Sequence, residues 1–247
     1  MLILLPPSET KQDGGPVGTK LRLAGLGFRS LTASRRTALG SLAELARDPA
    51  AMALALKLGP HQQDELLRNR RVARSPVLSA LDRYTGVLYD ALDAPTLTPR
   101  ARSFAAEHLA IHSALFGLLR SDDLIPAYRL SAGSRLPGLS MTKLWRAPIS
   151  AALSASGGLI LDLRSEAYAN LGPAAGSFYL RVVSQDAGGT RRALGHFNKT
   201  GKGILVRSLL EAGIDHPDVE SLLTWAHKAG IRLRRSAAAE LELALVD

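Results

Sequence analysis

Two short apolar runs constrain this chain more than anything else in it. Residues 2–5 read LILL and residues 158–163 read GLILDL. A strand with one wet face alternates apolar and polar side chains. A short run without that alternation, closed off by proline or glycine, fits a strand buried on both faces. Pro6 and Pro7 stop the first run, and glycines precede the second. A sheet built on such strands needs helices to cover it, which points to a mixed α/β fold.

The rest of the chain supplies those helices. Residues 35–58, RRTALGSLAELARDPAAMALALKL, are rich in Ala and Leu, and Pro49 is expected to split them into two helices. HQQDELLRNRRVA continues as a charged helix. Ser75 followed by Pro76 has the form of a helix start, a capping hydroxyl and then proline at the first helical position. It predicts one helix through VLSALDRYTGVLYDALDA. Thr98 and Pro99 repeat the signal, and that helix is expected to give way to a strand within 111–119. Residues 141–154 read as a further helix. In the second half, 177–183 and 191–197 read as strands flanking an SQDAGG turn, 204–212 and 218–229 as helices, and IRLRR and LELALV as two closing strands. There is no repeat, low-complexity segment or linker. We therefore expect one compact α/β (mixed α+β) domain over residues 1–247, with a mixed β-sheet and surrounding helices.

Composition narrows the function. Apolar residues make up 46% of 247, enough for a real core, and charged residues 21%. No cysteine is present, which excludes disulfides, thiolate metal ligands and a cysteine nucleophile. A net charge of +9 suits a polyanionic partner, nucleic acid or acidic lipid, but equally a solvated basic surface. No apolar run approaches the length of a membrane span, and LILL is too short for a signal-peptide core. A cytoplasmic protein with no membrane partner is expected.

The densest set of functional groups is HFNKTGKG, residues 196–203: an aromatic, an amide, two lysines and two glycines. Its glycine spacing is not that of a P-loop. If a strand ends at Phe197 and a helix begins near Ile204, then Thr200, Gly201 and Gly203 sit at a helix start. The N–H groups there lack partners and favour an anion. Lys199, Lys202 and Arg207 would then form a phosphate cradle beside Asn198. The alternative is a polar turn whose lysines face water.

Other clusters are more ambiguous. In SALFGLLRSDDLIPAYRL, Asp122 and Asp123 precede Tyr128 and Arg129. Paired carboxylates could bind a metal or act as acid and base, but adjacent side chains diverge, which favours capping or salt bridging. In DRYTGVLYDALD, Arg83 and Tyr84 either present a guanidinium and a phenol to a ligand or pack in an amphipathic helix. His108 and His112 stand four apart without an obvious third ligand, so no metal site is expected. No Gly-x-Ser-x-Gly elbow or dinucleotide fingerprint occurs, and no cofactor is expected.

Taken together, MLILLPPSETK, RYTGVLYDALD, ALFGLLRSDDLIPAYRL, LWR, DLRSEAY and HFNKTGKG resemble the YaaA family of bacterial peroxide-stress proteins, in order and over nearly the whole chain. HFNKTGKG stands where other members carry a lysine-rich segment. The resemblance implies a compact mixed α/β fold with a positively charged cleft, double-stranded DNA as partner, a helix-hairpin-helix element, and a role in limiting peroxide damage and free iron. The segment around APTLT, between helices ending near Asp93 and beginning at Pro99, is the candidate for that element.

Three functions are then in play. A DNA-binding protein would use Lys11, Arg83, Arg129, Lys199, Lys202 and Arg207 on phosphates, with little sequence preference. Its arginine clusters (68–74, 191–192 and 232–235) would line one cleft. An enzyme acting on a nucleotide or another phosphorylated small molecule would gather polar groups after several strands into one pocket. Ser8, Glu9 and Lys11 follow the first run, and Ser165, Glu166 and Tyr168 the second; Tyr84, Asp123, Tyr128 and Asn198 are further pocket candidates. A stress protein with an incidental basic surface would show neither.

Overall fold

The computed structural model describes residues 1–59, 62–185, 191–192 and 195–246. In chain order the strands are β1 (Leu2–Leu5), β2 (Val77–Ser79), β3 (Leu109–Ser113), β4 (Gly117–Arg120), β5 (Leu124–Pro126), β6 (Ile160–Asp162), β7 (Phe178–Gln185), β8 (Arg191–Arg192), β9 (Leu233–Ala237) and β10 (Glu240–Val246). The helices are α1 (Thr32–Leu45), α2 (Pro49–Leu56), α3 (Gln63–Arg70), α4 (Ala80–Arg83), α5 (Val87–Leu92), α6 (Pro99–His108), α7 (Met141–Ser154), α8 (Glu166–Leu171), α9 (Gly195–Ala212) and α10 (Val219–Lys228).

The main sheet runs β4-β3-β1-β6-β7-β10-β9, with β8 paired to the far end of β7. The five inner strands are parallel, and β4 and β9 close the path antiparallel. β2 and β5 form a separate small ribbon. All four residues of β1 are buried, as are all three of β6, which explains why neither alternates in the sequence. A single hydrophobic core joins the sheet to its helices.

Chain order sets the position of the site. From β1 the chain leaves toward β3 on one side; from β6 it leaves toward β7 on the other. Neighbouring parallel strands whose connections diverge open a crevice beyond their carboxyl ends. β1 and β6 are such a pair.

Most elements fall where the sequence puts them, with two corrections. The single helix expected after Pro76 does not form. The chain enters β2 there, and the capping hydroxyl is that of Ser79, which accepts from the Asp82 N–H at 3.2 Å. The short helix that follows is broken because Tyr84 bridges to Lys11 and Gly86 adopts φ +98°. A strand over 191–197 does not form either. β8 covers only Arg191–Arg192, and α9 already begins at Gly195, so HFNKTGKG is the first half of a helix and not its approach. The SQDAGG turn falls largely outside the described residues: β7 runs to Gln185 and the description resumes at 191. The APTLT segment is a 3-10 turn between α5 and α6. The Leu92 and Asp93 carbonyls at the end of α5 and the Thr96 hydroxyl of the turn all accept from Arg207 of α9.

Candidate functional site

A cleft of about 820 Å³ lies beyond the ends of β1 and β6, within the size range of small-ligand sites. Residues 6–10 form one wall, residues 165–168 the next, and α5 with the Gly86 turn a third. β7 outruns its neighbour β6, so Tyr179–Val183 extend beneath the opening. Asn198, Lys199 and Lys202 of α9 close the remaining side.

Each wall is fixed by a specific contact. The Tyr89 hydroxyl donates to the Pro6 carbonyl at 2.8 Å. Lys11 reaches back under the 6–10 segment, its Nζ donating to the carbonyls of Ser8 (2.9 Å) and Glu9 (3.2 Å). That ammonium lies over the rings of Tyr128 and Tyr84, 4.2 and 5.2 Å from their centroids. Burial lowers its pKa to about 7, more than Glu65 and Glu9 restore. The Glu9 carboxylate accepts from Arg129 at 2.8 Å. Gly86 comes so close that a Cβ there would stand 3.2 Å from both the Ser8 and Thr10 hydroxyls.

Below the 165–168 wall is a buried ion pair. Asp162 accepts two hydrogen bonds from the Arg164 guanidinium, at 2.8 and 2.6 Å, and a third from the Arg164 backbone N–H at 3.0 Å. The same guanidinium donates to the Gly172 carbonyl and to Nδ1 of His112. The His112 ring meets Tyr168 edge-on at 5.2 Å, and burial, with Arg164 beside it, keeps that imidazole neutral by pushing its pKa well down.

The α9 wall carries the glycines and lysines. A Cβ on Gly203 would come within 2.3 Å of the Leu88 carbonyl oxygen, and one on Gly201 within 2.9 Å of Val182 and 2.8 Å of Leu245. The two glycines let α9 press against α5 and β7. Lys202, between them, is only 6% exposed, and its Nζ donates to the Leu163 carbonyl at 2.9 Å. Burial lowers its pKa to about 8; Asp162 opposes that and Arg181 adds to it. Lys199 is exposed at the opening. The Asn198 Oδ1 is buried without a hydrogen-bond partner among the described residues.

The structure therefore gathers part of the predicted set. Ser8, Glu9, Ser165, Asn198, Lys199 and Lys202 line the cleft. Arg129 and Lys11 stand behind Glu9 and shape its segment. Tyr84 and Tyr128 lie deeper, their hydroxyls 2.8 Å apart, and Tyr128 continues to Ser113 at 2.7 Å. Arg83 is wholly buried and donates to the carbonyls of Ile125, Gln12, Gly14 and Pro76, so it ties down a loop and presents nothing to a ligand. Arg207 is committed to the α5–α6 turn and to Glu211. Asp123 accepts from the backbone N–H groups of Gly27 and Arg120, away from the cleft. The helix-start cradle gives way to a different arrangement, because Gly201 and Gly203 lie inside a helix and bury their faces.

Tyr179 and Arg181 line the cleft as well and are not among the sequence-predicted site residues. Their signal was the alternation of Tyr179 and Arg181 with Leu180 and Val182 on one strand. Among the described residues, the arginines of the 68–74 and 232–235 clusters do not share a cleft. Arg68 is paired to Asp13 and Glu65 beside a smaller hollow, while Arg234 and Arg235 on β9 are paired to Glu242 and Glu220. The side chains of Arg191 and Arg192 lie outside the description.

Fold and cleft define an open α/β protein with a cleft at the diverging ends of parallel strands. The family model described as "Peroxide stress protein YaaA" matches residues 1–234, and the chain belongs to that family. It is 41% identical to a UPF0246 protein of Corynebacterium glutamicum over the full length of both chains. It is 42% identical to one of Streptomyces coelicolor, over 86% of this chain and 84% of the relative. An uncharacterized Campylobacter jejuni protein is 26% identical over 83% of each chain. Among the described residues no helix is long and apolar enough to cross a membrane, and no cluster of three His, Asp or Glu could hold a metal ion.

Proposed function

We propose that this protein serves the peroxide stress response by binding double-stranded DNA with little sequence preference, taking a nucleotide unit of it into the strand-end cleft. The observation that carries this reading is the cleft itself. It lies at a topological switch point, is large enough for a nucleotide, and has Lys199 and Lys202 on its lining, with Arg181 beside them paired to Glu240 and Glu166. The net charge of +9 supplies the long-range attraction such binding needs. Among the described residues no helix or ribbon stands out as a base reader, which suits binding through backbone and shape.

A second reading is favoured by a separate observation. The described arginine clusters are spread over different elements, and Arg68, Arg234 and Arg235 in them face carboxylates, whereas the polar groups of the strand ends converge. That arrangement suits an enzyme acting on a free nucleotide or another phosphorylated small molecule. Titration of a labelled duplex at several salt concentrations, with free nucleotides as competitors, separates the two. Salt-sensitive duplex binding that nucleotides do not displace supports the first; weak duplex binding, or displacement by a single nucleotide, supports the second.

A further inference from the structure

One face of α9 puts three unlike groups into the cleft at consecutive helical neighbours: Asn198, Lys199 and Lys202. The two lysines are not equivalent. Lys199 is exposed at the opening, the position of a phosphate contact. Lys202 is buried, hydrogen-bonded to a backbone carbonyl, and among the described residues has no carboxylate within 4 Å. A lysine meant only to hold an anion gains from staying charged in water or beside a carboxylate. One buried without such a partner gives up its proton more easily and becomes a nucleophile. The glycines on either side hold it there.

Resting on the cleft as a site for a phosphate-bearing ligand, we infer that Lys202 forms a reversible imine with the aldehyde of a sugar phosphate, such as the opened deoxyribose of a nucleotide that has lost its base. The Lys202 nitrogen bonds to the aldehyde carbon, and the carbonyl oxygen takes up a proton from nitrogen. That oxygen then leaves as water with a second proton from nitrogen, and a C=N bond remains. No oxidant or reductant is consumed. Glu9 and Glu166 line the same cleft and can relay those protons. Lys199, exposed at the opening, takes the phosphate. Burial brings the Lys202 pKa to about 8, so free amine is present near neutral pH.

Imines are fixed by hydride reduction. The full-length protein is incubated with cyanoborohydride and either 2-deoxyribose 5-phosphate or a duplex carrying one abasic site, followed by intact-mass measurement and peptide mapping. The expected result is one adduct, mapped to Lys202, forming faster as pH rises through about 8 and lost in Lys202→Met. Faster trapping of the duplex identifies a nucleic-acid substrate, and faster trapping of the free sugar phosphate a small-molecule one; either supports the imine. Absence of an adduct overturns the inference, as does mapping to Lys199, Lys11 or the Met1 amine, or an undiminished yield in Lys202→Met. The wild-type peptide map decides alone if that variant does not fold. Salt-sensitive duplex binding without an adduct removes the imine and leaves the DNA reading standing.

Discussion

Buried cations are the feature of this protein that sequence alone misassigns. Lys11 sits in a polar, loop-like stretch and Arg83 on an expected amphipathic helix, and both are candidate ligand contacts in the sequence, yet both are spent on backbone carbonyls. Nothing in the local sequence distinguishes a cation that faces a ligand from one that ties down a loop, because the groups that enclose it, the Tyr84 and Tyr128 rings over Lys11 and the Gln12, Gly14 and Ile125 carbonyls around Arg83, lie far along the chain. Lys11 gives this a pH signature. Its folded-state pKa is about 7, against an ordinary 10.5. Below pH 7 the amine is protonated in both states, and its contribution is constant. Between about 7 and 10.5 the unfolded chain holds a proton that the folded chain has released, so stability rises with pH across that window. The difference in unfolding free energy between the wild type and Lys11→Met is therefore expected to be flat below pH 7 and to grow in favour of the wild type above it. Urea unfolding at a series of pH values measures this. A flat difference throughout would mean that the ammonium is solvated.

At the scale of elements, the strands and long helices were legible because burial writes itself into periodicity. LILL and GLILDL lack alternation because both faces of β1 and β6 are covered, and the Thr98 cap with Pro99 marks the start of α6 correctly. Failures came where glycine or proline serves packing instead of punctuation. HFNKTGKG looks like a loop because glycine is a poor helix former, worth about 1 kcal/mol against alanine. In the structure those glycines are where α9 touches its neighbours. The consequence is an inverted response to alanine. Gly203→Ala gains that propensity but drives its methyl toward the Leu88 backbone oxygen, 2.3 Å away, and the Ala91 Cβ at 2.8 Å. Overpacking of this kind costs about 1–3 kcal/mol, and a backbone carbonyl cannot swing aside. Gly201→Ala meets only side-chain ends, of Leu245 and Val182, which can shift. Thermal unfolding is expected to rank the variants wild type, Gly201→Ala, Gly203→Ala in falling stability. A Gly203→Ala protein as stable as the wild type would mean that α9 does not seat against α5 as described.

At the scale of the whole molecule, the net charge was legible and its distribution was not. A charge of +9 counts arginines equally, but the structure does not. Arg234 and Arg235 on β9 lie against Glu242 and Glu220, and Arg68 against Asp13 and Glu65. A cation already facing a carboxylate offers a phosphate little net attraction and releases few counterions on binding. Lys199 faces the cleft and has no ion pair among the described residues, so its charge is available. Duplex binding should therefore depend on one lysine at the cleft more than on a pair of arginines elsewhere. Each phosphate contact contributes about 0.9 to the slope of log affinity against log salt. Lys199→Ala is expected to weaken duplex binding and to flatten that slope by about 1. The double substitution Arg234→Ala with Arg235→Ala removes twice the charge and should leave both nearly unchanged. Fluorescence anisotropy with one labelled duplex over a range of salt concentrations compares the three proteins directly. The opposite ranking, a large loss from the β9 pair and none from Lys199, would move the DNA contact to the sheet edge and leave the cleft to a small phosphorylated ligand.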